Sequence, residues 1–93
     1  MKLIVRNFSS RRGEIDLIMS DGPLLSFIEV RMRNNSNFGS GADSVDRHKQ
    51  RKIIITAEAF LQNQVNNPWQ EYRFDVISIG DDIDWIKNAF TLD

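Results

Sequence analysis

Four charged side chains on two short neighbouring runs could do chemistry together. Glu14 and Asp16 lie in Gly13-Glu14-Ile15-Asp16-Leu17-Ile18, and Glu29 and Arg31 in Phe27-Ile28-Glu29-Val30-Arg31. Side chains alternate along a strand, so Glu14 and Asp16 share one face of the first run. Phe27, Glu29, Arg31 and Arg33 share one face of the second. If Asp21-Gly22-Pro23-Leu24 turns the chain into a hairpin, Asp16 falls opposite Glu29 and Glu14 opposite Arg31. Directly opposed side chains have Cβ atoms about 4.5–5.5 Å apart. Two carboxylates at that separation repel unless a proton or a cation lies between them. An oxygen-lined pocket of this kind suits Mg²⁺ or Mn²⁺. An Asp followed, after twelve residues, by Glu-x-basic is a common way to build a metal-dependent nuclease site.

The plainer reading of the same residues is the solvated side of a half-buried sheet, which alternation produces in any strand. On that reading Arg31 forms a cross-strand ion pair with Glu14, worth only about 0.2–1 kcal/mol. On the chemical reading it contacts a phosphate. Arginine stays protonated at any relevant pH, so Arg31 cannot be a general base. It can still stabilise developing charge on phosphate through two parallel hydrogen bonds.

The elements that must position these groups are legible from pattern. Leu3 to Phe8 reads as a first strand, Ser9 to Gly13 as a turn, and Glu14–Met19 and Leu24–Arg33 as two further strands of a meander. Asn34 to Ser44 is rich in Asn, Ser and Gly, has only Phe38 to anchor it, and reads as a mobile loop. Asp46 is placed to cap a helix that runs to about Val65 and ends at Asn66-Asn67-Pro68. Ile53, Ile54, Ala57, Phe60 and Leu61 recur at helical spacing as its buried stripe. Glu71 to Ile79 is a fourth strand, and Gly80-Asp81-Asp82 turns it into a fifth around Ile83 to Lys87.

A strand–helix–strand crossover favours a fourth strand parallel to the third. The expected fold is therefore α+β (or α/β), a mixed sheet with the helix on one face. Ile15, Leu17 and Met19 with Ile28, Val30 and Met32 form a continuous apolar row and are the expected seat of that helix. Glu14, Asp16, Glu29, Arg31 and Arg33 are then expected on the opposite face.

Ninety-three residues make one domain, 1–93. Hydrophobic content of 41% and charged content of 27% are ordinary for a globular chain. The absence of cysteine excludes disulfides and thiolate metal sites. No apolar run approaches membrane-spanning length, and the expected location is the cytoplasm. The net charge of −1 is unevenly spread. Up to Lys52 there are ten basic and six acidic residues, a net of +4, and from Ile53 onward two basic and seven acidic, a net of −5. The basic half also contains the motif, which allows a local phosphate-binding face.

Three stretches resemble a known family: Gly13-Glu14-Ile15-Asp16-Leu17-Ile18, Phe27-Ile28-Glu29-Val30-Arg31 and Arg73-Phe74-Asp75-Val76. Between them, Phe38-Gly39 and Val45-Asp46 through Lys49-Gln50 fit the same pattern. The sequence resembles the YraN-like family of small bacterial proteins, from about Ile4 to Phe90. That family is similar to restriction-endonuclease-like nucleases, including archaeal Holliday-junction resolvases, whose motif is Asp … Glu-x-Lys.

The resemblance implies a restriction-endonuclease-like core and a DNA phosphodiesterase dependent on Mg²⁺ or Mn²⁺, with branched structures as candidate substrates. It implies Asp16, Glu29 and the Val30 carbonyl as metal ligands and Arg31 at the lysine position. Lys49 and Gln50 match the family's helix motif as phosphate contacts, with Arg33 and Arg51 beside them. Two departures stand out. Arg31 replaces lysine, and the helix with which family members begin, often the source of one more acid, is expected to be absent. A sheet left uncovered in this way makes a homodimer a candidate. The alternative is a catalytically inactive nucleic-acid-binding or scaffold domain of the same fold.

The remaining candidates have plainer roles. Arg47-His48-Lys49-Gln50-Arg51-Lys52 opens the helix, where basic side chains oppose the macrodipole. His48 has neither a second histidine nor a cysteine to ligate with. Asp75 shares a strand face with Arg73 and Ile77 and reads as an ion-pair or sheet-edge residue rather than a third ligand. Trp69 and Trp85 follow turns and read as caps on the core, with base stacking as the alternative.

Overall fold

The computed structural model describes residues 1–32 and 45–91. Arg33 and the expected loop from Asn34 to Ser44 lie outside the described residues. Strands β1 (Lys2–Ser10), β2 (Gly13–Asp21) and β3 (Leu24–Met32) form an antiparallel meander. Helix α1 (Arg47–Gln62) then crosses over, so that β4 (Glu71–Ile79) runs parallel to β3, and β5 (Ile83–Phe90) returns antiparallel to β4. The sheet order is β1-β2-β3-β4-β5. The architecture is thus mixed α+β, a five-stranded mixed sheet with one helix among the described residues.

Local chemistry explains the element ends. The β2–β3 turn requires positive φ at Gly22 (58°), which glycine adopts without a Cβ clash. The Asp46 side chain accepts the Lys49 N–H at 2.8 Å and caps α1 as its sequence position demands. The helix ends at Asn63, and Asn66 in the left-handed region (φ 57°) redirects the chain toward β4.

The core lies between α1 and the sheet, and it corrects the expected seat of the helix. Phe27 meets Phe60 of α1 edge-on at 6.2 Å and stacks on Phe74 at 5.5 Å, while Phe8 meets Phe60 at 5.2 Å. The helix therefore covers the Phe27 side of β3, which is the side of Glu29. Ile28, in register with Asp75, faces the other way.

Two physical causes account for this. Aromatic side chains bury the most area, so the Phe8–Phe27–Phe74 row outcompetes an aliphatic row for the helix. In addition, β2 does not alternate regularly. Ile15 and Ile18, three residues apart, are both buried in the cluster that includes Ile53, Ala57 and Phe60. The strand changes parity between them, opposite Asn7 of β1 with its φ of 54°. No helix among the described residues is long and apolar enough to cross a membrane.

Candidate functional site

The hairpin register and the face of the sheet that α1 covers together build the site. The β2–β3 ladder runs from Asp21↔Leu24 to Leu17↔Ile28, so the next step brings Asp16 beside Glu29, as the hairpin register anticipates. There the ladder stops. Instead of a backbone carbonyl, the Asp16 Oδ2 accepts the Val30 N–H at 2.8 Å. This hydrogen bond anchors the carboxylate on the helix side of the sheet.

Glu29 continues the Phe27 face and is only 8% exposed. Lys49, in the first turn of α1, brings its Nζ to 3.6 Å from Glu29 Oε2. Burial raises the pKa of Glu29 to about 7, helped by its hydrogen bond with Asp16 and then by the Asp16 charge. The charges of Lys49 and Arg31 oppose the shift without cancelling it. A proton held on Glu29 toward neutral pH relieves its repulsion from the Asp16 carboxyl.

Around the pair opens a cavity of about 390 Å³, with Asp16, Glu29 and Glu14 as its acids and Arg31, Lys49 and Lys52 as its bases. Gly13, Val30 and Ile53 complete the wall. Gly13 is where β2 comes closest to the helix: a Cβ there would lie 3.3 Å from Thr56 Oγ1 and 3.5 Å from Lys52 Cβ. The cavity sits at the carboxyl end of β3, beside the start of the crossover helix, where ligands bind in open α/β sheets.

Of the residues singled out in the sequence, Glu14, Asp16, Glu29, Val30, Arg31 and Lys49 line this cavity. Gln50 and Arg51 do not. The Gln50 Nε2 donates to the Val45 carbonyl at 2.9 Å and ties down the helix start. Arg51 is exposed and two residues, about 200°, around the helix from Lys49. Lys52 is a wall residue that the motifs alone do not single out; its i, i+3 relation to Lys49 is the signal that could have found it. Among the described residues no three His, Cys, Asp or Glu side chains gather as a metal-ligand group.

Asp75 lies on the opposite face of the sheet and is fully buried. Of its two expected roles it takes that of an ion pair, with Arg73, whose Nε donates to Asp75 Oδ1 at 2.8 Å. Trp69 packs against Phe60 at 6.2 Å, at the edge of the core. Trp85 belongs to the Asp75 face instead, its indole N–H donating to Asp75 Oδ2 at 2.9 Å.

The model for "Uncharacterised protein family UPF0102" matches residues 1–79. The chain belongs to the UPF0102 family. This is the YraN-like family whose motifs the sequence resembles, and the matched span contains the whole cavity wall. A UPF0102 protein of Ectopseudomonas mendocina is 46% identical over 96 residues, covering 97% of this chain and 79% of that protein. One from Vibrio cholerae is 45% identical, covering 98% and 78%, and one from Aeromonas hydrophila is 49% identical, covering 94% and 68%.

Proposed function

We propose that this UPF0102 domain has a restriction-endonuclease-like core and hydrolyses phosphodiester bonds in DNA, with Asp16 and Glu29 as the centre of the site. The meander followed by a crossover helix and a parallel strand supports the fold reading. One observation carries the functional one: two adjacent carboxylates, one of them raised to about 7, face a cavity whose other wall is cationic.

The donor set fits a hard divalent cation. Asp16, Glu29 and the Val30 carbonyl would hold Mg²⁺ or Mn²⁺, with water and substrate phosphate as further ligands, the usual arrangement for Mg²⁺. When bound, such an ion lowers the pKa of its water and neutralises phosphate charge. The residues of the chain do the rest. Asp16 is fixed by the Val30 N–H, so one carboxylate is oriented before any ligand arrives. Lys49 balances the Glu29 charge and can pass to a phosphate oxygen when a dication takes its place. Arg31 remains protonated and supplies two parallel donors to a phosphate.

The Lys49–Glu29 ion pair also supports a second reading, in which the pair is satisfied without metal and the domain binds nucleic acid without cleaving it. Incubation of labelled duplex, flapped and four-way DNA with Mg²⁺ or Mn²⁺ separates the two. Cleavage lost in Glu29→Gln and Asp16→Asn supports the hydrolase. Binding without cleavage supports the second reading, and neither binding nor cleavage ends both.

A further inference from the structure

The cavity accounts for one phosphate, but the cations beside it extend further. Arg11 and Arg12 form the β1–β2 turn, immediately before Gly13 in the cavity wall. Consecutive Cα atoms are about 3.8 Å apart, so the turn adjoins the Gly13 end of the cavity wall without lining it. Lys52 of α1 lies across the close approach at Gly13. All three side chains are exposed, and among the described residues none is engaged in an ion pair.

The turn is held rigidly against the helix by a relay of hydroxyl groups. Thr56 Oγ1 donates to the Lys52 carbonyl at 2.7 Å, leaving its oxygen to accept from Ser10 Oγ at 3.3 Å. Ser10 Oγ in turn accepts the Arg12 N–H at 3.2 Å. The backbones of Arg12 and Lys52 are thereby linked, and three cations are presented together with Glu14 as the one acid beside them. Fixing their scaffold in advance lowers the ordering cost of binding.

We propose that Arg11, Arg12 and Lys52 form a clasp for the sugar–phosphate backbone, holding phosphates that flank the one at the Asp16–Glu29 cavity. The ligand is then a polyanionic strand rather than a mononucleotide or a small phosphate ester. The inference rests on the reading of the cavity as a phosphodiester site. A duplex strand has one charge about every 3.4 Å along the axis, so a strand with one phosphate in the cavity has others near the turn.

Binding of labelled oligodeoxynucleotides of increasing length, measured by fluorescence anisotropy with EDTA present, tests the clasp independently of catalysis. Affinity should rise with length, and the plot of log K against log salt should flatten in Arg11→Ala/Arg12→Ala. On a single strand the slope should fall by about 0.7 for each phosphate that is no longer neutralised, and by a similar step in Lys52→Ala. Arg47→Ala/Arg51→Ala removes the same charge from the exposed helix side away from the cavity and should change the slope by less than half as much.

An unchanged slope in the turn and Lys52 variants, or an equal loss in the Arg47/Arg51 variant, overturns the clasp and leaves the cavity reading intact. Clasp-dependent binding by a protein that never cleaves supports the clasp and overturns hydrolysis. Failure of the wild type to bind any oligonucleotide at low salt overturns both.

Discussion

Asp75 and Glu29 are both buried acids in the middle of the sheet, on adjacent parallel strands and on opposite faces, 0% and 8% exposed. Burial pushes both carboxyls toward the neutral form, yet they end in opposite states. Asp75 is held below the ordinary carboxylate range because its hydrogen bonds outweigh burial: first those of Arg73, then the Asn88 N–H, Trp85 and Ser26. These donors lie at 2.8–2.9 Å and occupy both oxygens. Through Asn88, at φ 54°, Asp75 also fixes the irregular stretch of β5.

Glu29 has a second carboxyl as neighbour, a lysine at salt-bridge distance and an open cavity in front of it. Asp75 is saturated and has no capacity left for a ligand. Glu29 is left short of donors, at a cost in stability that a ligand can recover. Donor supply, rather than depth of burial, separates a structural acid from a candidate functional one.

The contrast between the two acids should break most visibly at Asp75. Replacing it with Ala removes the acceptor of five hydrogen bonds and strands the Arg73 guanidinium, whose side chain is 20% exposed. Loss of one partner of a buried pair costs about 3–5 kcal/mol. Urea unfolding should show that loss. A cost under about 1 kcal/mol would mean that the network is not structural.

Metal response tests the other acid. If the carboxyl pair binds Mn²⁺, saturation at about 100 times the dissociation constant stabilises the fold by about 2.7 kcal/mol. That gain in melting temperature should vanish in Glu29→Gln and persist in Ser26→Ala, a milder lesion of the Asp75 network. A full Mn²⁺ shift in Glu29→Gln would place the metal elsewhere.

The pH dependence should follow from the Glu29 shift. A carboxyl whose folded pKa is raised to about 7 binds more protons folded than unfolded between its ordinary range and neutrality. Its contribution therefore falls as pH rises through that window, by on the order of 2 kcal/mol once the full rise, about 3.4 kcal/mol at about 1.4 kcal/mol for each tenfold change in proton affinity, is reduced for screening at the open cavity. Glu29→Gln should flatten this decline and be the more stable protein above neutrality. Asp75 has the opposite sign, its contribution being lost only as pH falls through its lowered folded value. Denaturation midpoints across pH measure both arms.

The smallest effect is expected from Asp16→Asn. The amide oxygen can keep the Val30 N–H while the charge is removed, so stability at neutral pH should change by less than about 1 kcal/mol. The Glu29 titration, followed by carboxyl-carbon NMR, should move down toward its ordinary range. No movement would show that burial alone sets it.

The elements, their order and the neighbours across the hairpin were all legible along the chain. Asp46 as cap, Gly22 in the turn and the alternation of β3 are local signals, set by dihedral preference and by a period of two. The β2–β3 register followed from the turn, and with it Asp16 beside Glu29.

Which face the helix covers was settled by tertiary packing alone. Alternation counted along β2 assumes a regular strand, and the parity change between Ile15 and Ile18 is a property of its pairing with β1, where Asn7 takes up the irregularity. Packing of α1 on the Phe27 face, rather than on the Ile28 face, put Asp16 and Glu29 on the helix side, set Lys49 and Lys52 across from the carboxyls, and raised Glu29 by burying it. The Asp75 network was equally hidden. Its donors come from β3, β4 and β5, and no spacing along the chain announces a meeting of Ser26, Arg73, Trp85 and Asn88 around one carboxylate.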